Sequence, residues 1–453
     1  MCIRDRDNTM DRQLQYAGEY KLLSLKIEAT DNPAVDLSGL VVQIEIVEDI
    51  ELPGIFGHCV ISDTANLTNG LPIIGEEKLE LIIQTPPLPQ WGEFEKKEWK
   101  LDTSRGTDTR FDVYAVDFKV HSENFSQATY SLKFCSPEVL KNNKKRVTYS
   151  VNGTAEDIVK KVFKQEFNSD KKLEISETTT QKNIIIPNLD PFSTIAYISS
   201  VSEDGDGDPS FKFFENNDGY QYKSLTSLYQ QIPHWDFGML SPGLGSNNLL
   251  GQLQSLTGQN MQHNDKMLDI KRGVLGSTLL VHDIYNKRYL TKSYNYAESF
   301  KTEGHLKDPL KRNLPIYSSD DDYTGSRTLY QTMSIKEESG KQFNGLYSGS
   351  YKLPNEIAQN QTSQRTSKME QLKQAFEIEC QAAGNTNLTA GKLVHLSIPK
   401  AVDSDSEEYG DNDRFFQGLF LMSRIKHVFH AEGQEHKVYM HMVKDSQVTP
   451  VIK

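Results

Sequence analysis

The feature that most constrains the fold of this sequence is an alternation of apolar and polar residues at period two. It is typical of strands that bury one face. In the first third of the chain the apolar members of four such segments are Val42, Ile44 and Ile46; Leu79, Leu81 and Ile83; Tyr114, Val116, Phe118 and Val120; and Ala128, Tyr130, Leu132 and Phe134. These segments predict an antiparallel sheet that closes toward a barrel.

The same pattern returns near the C-terminus. Its apolar members there are Val394, Leu396 and Ile398; Phe416, Phe420 and Met422; and Val438, Met440 and Met442. A further strand pattern runs from Ser277 to Tyr285. The sequence therefore predicts two similar antiparallel barrels, one within residues 15–137 and one assembled from residues 263–300 and 370–453.

Between the barrels the period becomes helical. Thr154 is expected to cap a helix that ends near residue 167, Asp190 and Pro191 to begin a second helix, and Asn217 to Gly219 to turn a hairpin. The predicted fold class is mainly β with an α+β insert: two tube-like β-barrel domains flanking a small helix-containing domain.

Four further segments complete the predicted domain organisation. Residues 138–262 are expected to form the α+β domain with a flexible arm over 238–262, because Gly, Ser, Asn and Gln dominate that stretch. Residues 85–110 predict a long loop that projects from the first barrel, and residues 301–369 a polar excursion with a short helix. Residues 1–14 are interpreted as a leader that is in part not native, with Met10 as a plausible start.

Composition narrows the possible functions. The 453 residues carry a net charge of −12. Lysines and arginines form no block longer than the short run from Lys141 to Arg146, so tight binding to DNA or to an anionic membrane is not expected. Four cysteines without CxxC spacing favour a reducing compartment and indicate neither zinc nor disulfides. No apolar stretch is long enough to cross a bilayer.

The sequence contains only weak signals for metal binding. Residues 204–215 place acidic side chains at positions 1, 3, 5 and 12 of a calcium loop, but Pro209 stands where the loop needs glycine. We therefore interpret this segment as a solvated connection between a helix and a strand. The late histidines His395, His427, His430, His436 and His441 have spacings that point strand neighbours to opposite faces, so no metal site is predicted.

Catalytic motifs are also lacking. The sequence contains no GxSxG, HExxH or P-loop pattern. The carboxylate pairs Glu76 with Glu77 and Glu407 with Glu408, and the acidic run from Asp403 to Asp413, lie in turn-like polar stretches and are expected to be solvated. We predict no catalytic, cofactor-binding or metal-binding residues, no cofactor and no enzymatic activity.

Four segments carry a resemblance to a known family. They are the strand pair 112–137 leading into the helix that begins near Gly153, the stretch Ile186 to Thr194 that opens a helix, the stretch Gly384 to Gly391 that opens a strand, and the closing hairpin from Phe416 to Asp445. In this order they resemble the baseplate central hub protein of contractile-tailed bacteriophages, which is related to the hub part of type VI secretion spike proteins. Gly391, at the end of one turn, is expected to adopt positive φ.

The resemblance implies a structural role. It implies a homotrimer whose six barrels form a ring between a six-fold tail tube and a three-fold central spike, with an axial channel through which DNA passes. The implied partners are the spike protein, the tail tube and other baseplate proteins, and the implied location is the virion tail, assembled in the host cytoplasm. Polar strand edges, such as those at Gln43, Glu45 and Lys133, are expected to carry the trimer contacts.

Two other functions stay open at this point. One is the hub portion of a secretion-system or phage-like injection spike, which would call for a long repetitive β-helix after the second barrel. The other is a tail-associated peptidoglycan hydrolase, which would require an acid and a nucleophile that converge in one compact domain.

Overall fold

A computed structural model describes most of the chain. The described residues are 13–29, 33–64, 67, 73–88, 99–104, 109–121, 127–179, 181–239, 248–262, 265–284, 287–306, 311–317, 321–332, 360–374, 376–400, 412–413 and 416–450. Within these residues no helix is long and apolar enough to cross a membrane.

Strands dominate the described residues. In chain order they are β1 (Lys21–Glu28), β2 (Val35–Asp36), β3 (Val41–Asp49), β4 (Phe56–Asp63), β5 (Lys78–Thr85), β6 (Trp99–Asp102), β7 (Phe111–His121), β8 (Ala128–Cys135), β9 (Ser150–Thr154), β10 (Leu173–Ile175), β11 (Gln181–Ile185), β12 (Phe211–Asn216), β13 (Gly219–Ser224), β14 (Trp235–Gly238), β15 (Leu256–Gln262), β16 (Gly276–Asp283), β17 (Arg288–Asn295), β18 (Lys311–Leu314), β19 (Thr328–Thr332), β20 (Phe376–Ala383), β21 (Leu393–Ser397), β22 (Gly418–His430), β23 (Glu435–Lys444) and β24 (Gln447–Pro450).

The helices are short. They are α1 (Pro137–Asn143), α2 (Ala155–Val162), α3 (Pro191–Ser200), α4 (Leu225–Tyr229), α5 (Leu249–Leu253), α6 (Lys266–Arg272), α7 (Tyr296–Ser299) and α8 (Arg365–Gln374). Single π turns continue α2 over Phe163–Phe167 and precede α8 over Asn360–Gln364.

One large, mostly antiparallel sheet organises the molecule, in the order β15-β20-β23-β22-β3-β4-β8-β7-β5-β1-β2, with β21, β14 and β6 branching from it. Two separate apolar cores lie against it, one under the N-terminal strands and one under the C-terminal strands. We call β1, β3, β4, β5, β7 and β8 the first unit, and β14, β15, β20, β21, β22 and β23 the second unit. The predicted mainly β class is confirmed, but the two expected barrels are curled halves of one continuous sheet.

The predicted strand faces are correct where the ladder is regular. Leu79, Leu81 and Ile83 of β5 are fully buried. In β3 and β7 the predicted faces are wrong in part, because a bulge shifts the alternation. Val42 is therefore exposed, and in β7 it is Val113 rather than Tyr114 that points into the core.

The middle domain follows its sequence signals. The Thr154 hydroxyl accepts a hydrogen bond from the Asp157 backbone N–H and caps α2. The Asp190 carboxylate accepts one from Ser193 at 2.9 Å and caps α3, with Pro191 at its first position. Strands β12 and β13 form the expected hairpin. A core of α2, α3 and this hairpin results.

Three segments differ from expectation. Residues 276–295, expected in the second barrel, form a separate three-stranded sheet in which β16 pairs with β17 and β19. The expected flexible arm contains α5 and β15, and β15 pairs with β20 in the large sheet. Within the expected loop 85–110, β6 pairs with β5 and Trp99 is buried. Sheet membership depends on distant pairing partners, which a local pattern does not encode.

Other expectations fall on residues outside the described ranges. These are most of the leader over residues 1–14, much of the 85–110 loop, the centre of the arm and the excursion over residues 333–359. The described parts of the excursion are β18, which pairs with β24, and β19, followed by α8.

Candidate assembly surfaces

Strand β22 joins the two units. One of its edges pairs with β23. The other edge pairs first with β21 and then, over residues 424–430, with β3. Arg424 Nε lies 2.7 Å from an Asp49 carboxylate oxygen, and Lys426 Nζ lies 3.2 Å from a Glu45 carboxylate oxygen. The joint between the units is thus a backbone ladder flanked by ion pairs.

The two units share one strand order. If the six strands of each unit are numbered along the chain, their spatial order in both is second, third, sixth, fifth, fourth, first. The fifth strand is bulged in both units, at Tyr114 in β7 and at Ser423 in β22. The first strands differ, because β1 is antiparallel to β5 whereas β14 is parallel to β21.

A pair of backbone hydrogen bonds supports this correspondence. The residue before each bulge donates its N–H to the residue just before the fourth strand: Val113 to the Glu77 carbonyl at 2.9 Å, and Met422 to the Lys392 carbonyl at 3.0 Å. The chain therefore contains an internal structural repeat, in keeping with the two similar strand patterns of its sequence.

The loop 385–391, which we call the junction loop, ties three parts of the molecule together. The Thr386 hydroxyl donates to the Trp99 carbonyl of the first unit at 2.6 Å. The Thr389 hydroxyl and the Ala390 N–H both donate to the Glu48 carboxylate. The side-chain amide of Asn216, in the middle domain, donates to the Ala390 carbonyl at 2.9 Å. These polar contacts thus hold the second unit against the first unit and the middle domain.

Gly391 ends the junction loop at a φ of +82°, as its place in the turn predicts. A Cβ added there would meet the Phe214 ring at 2.6 Å. Glycine is therefore required both by the backbone conformation and by the close approach of the middle domain.

Glu48 is fully buried at the joint. Burial raises the pKa of its carboxyl from 4.5 to about 7, although the hydrogen bonds from Thr389 and Ala390 act in the opposite direction. The joint therefore contains a carboxyl group that burial favours in its neutral form.

Among the sheet edges that lack a strand partner in the described residues are two that occupy corresponding ends of the two units: the outer edge of β7 beyond its two-residue contact with β5, and the outer edge of β15. Val120 on β7 is 63% exposed. The edges expected from the sequence are wrong, since β3 and β8, which carry Gln43, Glu45 and Lys133, are paired on both sides. The backbone groups on the outer edges of β7 and β15 are available for pairing with another chain.

The calcium-like segment forms an internal polar network. Asp204 accepts hydrogen bonds from the Asp208 N–H at 2.8 Å and the Ser224 hydroxyl at 2.7 Å. Asp208 accepts from Thr226 N–H at 2.8 Å and lies 3.3 Å from Lys368 Nζ. Although burial opposes it, Lys368 keeps the pKa of Asp208 below its ordinary value. The connection is therefore largely buried rather than solvated, with only Gly205 and Asp206 exposed. No described group of three or more His, Cys, Asp or Glu side chains could hold a metal.

The late histidines are dispersed except for one pair. His427 Nδ1 lies 3.0 Å from His436 Nε2 in the joint, where both side chains are buried. Burial lowers the pKa of His427 to about 4 and that of His436 well below its ordinary value. Two of the other histidines lie beside separate carboxylates, His395 near Asp236 at 3.9 Å and His441 near Glu377 at 3.4 Å. Spacing along one strand missed the cross-strand pair.

The candidate carboxylates do not converge in the described residues. Glu77 is buried and accepts the backbone N–H groups of Ile74 and Gly75 at 2.6 and 2.9 Å, so it holds the turn before β5. Glu76 is exposed. Glu407, Glu408 and most of the run 403–413 lie outside the described residues.

One buried ion cluster lies in the middle domain and was not predicted from the sequence. Lys171 Nζ lies 2.8 Å from Glu138 and 2.6 Å from Glu215, and both carboxylates are buried. Tyr220 donates its hydroxyl proton to Glu138 at 3.2 Å. The lysine contacts both carboxylates and fastens α1 to the hairpin of the middle domain, while burial raises the pKa of Glu215. Residues so far apart in sequence gave no signal.

No protein-family model matches the chain, and no curated protein matches it in sequence. Solved structures do share its fold. A tail protein from Neisseria meningitidis MC58 is similar with a TM-score of 0.55 at 11% identity, over 94% of this chain and 97% of that chain. The 43 kDa tail protein of prophage MuSo2 from Shewanella oneidensis is similar with a TM-score of 0.51 at 9% identity, over 93% and 98%. The chain therefore has the fold of phage tail proteins, and the resemblance to tail hub proteins inferred from its sequence is confirmed in fold.

Proposed function

We propose that this chain is a structural subunit of a phage tail baseplate hub. In this proposal three copies form a ring that adapts the six-fold tail tube to the three-fold central spike. The internal repeat carries the proposal, because each chain supplies two units of the same strand order and three chains supply six. A closed ring would also remove open sheet edges from solvent.

The ring would leave an axial channel for DNA. The net charge of −12 supports this, since an acidic surface does not neutralise phosphates and would let DNA pass without retaining it. The partners in this proposal are two further copies of the chain, the central spike protein, the tail tube and other baseplate proteins. Its place is the virion tail, after assembly in the host cytoplasm.

The proposed role is not enzymatic. The buried carboxylates described above are each engaged by a cation, a hydroxyl or backbone N–H groups, as Glu77, Asp208 and Glu138 illustrate. We expect the purified protein to release no soluble fragments from peptidoglycan. Fragment release that disappears in a Glu407→Ala variant would refute this expectation.

The assembly itself is tested by mass and symmetry. Light scattering at micromolar concentration should give three times the mass of one chain, increased by the mass of the bound spike when spike protein is present. Electron microscopy of the same sample should give end views with six similar lobes. A monomer that is folded by circular dichroism would refute the hub proposal.

A further inference from the structure

We propose that the open β7 edge of one copy pairs antiparallel with the open β15 edge of a second copy. This contact would repeat, between chains, the β22 to β3 joint found within each chain. The inference rests on the proposed ring, and it adds which edges meet and in which register.

The register of the contact between copies follows from comparing the two units. In each unit, residues that pair directly on successive strands form a row across the sheet, and the two rows can be matched. In the first unit the row is Val47, Phe56, Cys135, Asp112 and Lys78; in the second it is Gln262, Glu377, Val443, Leu421 and Leu393. The bulges support this match independently, because Tyr114 follows Asp112 by two positions and Ser423 follows Leu421 by two. Gln262 of the second unit thus corresponds to Val47 of the first.

The joint inside the chain then supplies the partner. Val47 pairs on its outer edge with Lys426, which follows Leu421 by five positions. The corresponding residue of the first unit follows Asp112 by five positions and is Asp117. We therefore place Asp117 of one copy opposite Gln262 of the next. The correspondence stops there, because β7 has a second bulge after Asp117 that β22 lacks.

Burial differs between the joint and the open edges in the way this pairing requires. At the joint Ile46 and Ile425 are fully buried. The corresponding Met261 and Val116 are only partly buried. Asp117 and Gln262, which would lie opposite each other, are both polar, and the side-chain amide of Gln262 can donate a hydrogen bond to the Asp117 carboxylate. A second copy would complete the burial that the joint already has.

The edges that meet are different, so the contact is head to tail. Such contacts close into a ring when the rotation between neighbours permits. Here the same kind of contact would occur twice per chain, once inside it and once between copies. The occupant of both edges is therefore a further copy of this chain.

Disulfide trapping tests the register. The variant Asp117→Cys with Gln262→Cys should give covalent dimers and trimers on oxidation in non-reducing electrophoresis, because directly opposite residues come within disulfide range. Asp117→Cys with Asn260→Cys is the matched control, since a diagonal pair lies about 7–8 Å apart and should not bridge. The cysteines of the described part of the wild-type chain are buried and should not interfere.

A charge exchange tests the same pair without oxidation. Asp117→Lys with Gln262→Lys places like charges opposite each other and should raise the concentration needed for half-maximal trimer on the order of tenfold. Asp117→Lys with Gln262→Glu should restore trimer formation. Both variants lose the ion pair from Asp117 to Lys133, so the effect on the single chain is matched.

The outcomes separate this inference from the hub proposal. A trimer that forms normally but neither traps through residues 117 and 262 nor responds to the charge exchange would overturn the edge pairing and leave the hub intact. A folded wild-type chain that stays monomeric overturns both. Selective trapping and charge rescue support both.

Discussion

Replacing Glu48 with glutamine should stabilise the protein at neutral and alkaline pH. Glu48 is fully buried at the joint, where its Oε2 accepts hydrogen bonds from Thr389 and Ala390. A glutamine carbonyl can accept the same two bonds, and its amide, like the protonated acid, carries no charge. The variant Glu48→Gln therefore removes the titrating carboxyl group and keeps an oxygen that accepts the hydrogen bonds from Thr389 and Ala390.

The magnitude follows from the pKa of Glu48, which burial raises from 4.5 to about 7. The unfolded chain gives up this proton at lower pH than the folded chain does. Stability from this group is therefore full below pH 4.5 and is lost as the pH rises through about 7. The difference corresponds to about 3 kcal/mol of unfolding free energy, which the wild type should lose and the variant should keep.

Urea unfolding at pH 5, 6.5 and 8, followed by circular dichroism, measures this difference. The difference in unfolding free energy between Glu48→Gln and wild type should increase in favour of the variant at each higher pH. The matched control is Glu379→Gln, a change at an exposed carboxylate on β20, which should leave the difference constant. A difference for Glu48→Gln that is the same at all three pH values would refute the reasoning.

Two further changes probe the joint and the junction loop. Burial lowers the pKa of His427 from 6.5 to about 4, so the stability that this neutral group contributes is full above pH 6.5 and decreases as the pH falls below that value. Between pH 7 and 5 the wild type should therefore lose unfolding free energy that His427→Gln keeps. The difference should be about 2 kcal/mol by urea unfolding. Gly391→Ala should cost at least about 2 kcal/mol of unfolding free energy, because its Cβ adds a clash with Phe214 to the strain of positive φ. The control Gly433→Ala has a φ of +77° and open space around it, so it should cost only about 1 kcal/mol; equal costs would contradict the packing argument.

The sequence predicts those parts of the fold whose signal is local. Alternation in β5, β8 and β23 identifies the strands and their buried faces, because these strands are regular and have one face in a core. The caps at Thr154 and Asp190 and the turn at Gly219 are equally local, and all three form as predicted.

Alternation does not predict the buried face of a bulged strand, nor does it identify a polar edge strand. One extra residue at Tyr114 exchanges the two faces of β7, and nothing in the composition of that strand marks the insertion. Strand β15 has the sequence Leu-Thr-Gly-Gln-Asn-Met-Gln, which is typical of a linker. It becomes a strand because β20 supplies a partner, and its polar residues suit an edge.

Long-range pairing explains the rest of what was missed. The pairs from Asp49 to Arg424 and from Glu48 to Thr389 form only after distant segments have come together in the correct register. Ser277 to Asp283 has the same alternation as the barrel strands yet pairs in a separate sheet. Alternation identifies a strand but not its neighbour.

The joint also bears on how many copies would form a ring. Two units in one chain are related by a fixed rotation, because the β22 to β3 ladder and its ion pairs hold them in one sheet. If the β7 to β15 contact has the same geometry, each added copy repeats that rotation, and the ring closes at the number of units that completes a full turn. Six units require about 60° per step. A hub with three chains thus depends on a rotation that the fold of a single chain already sets.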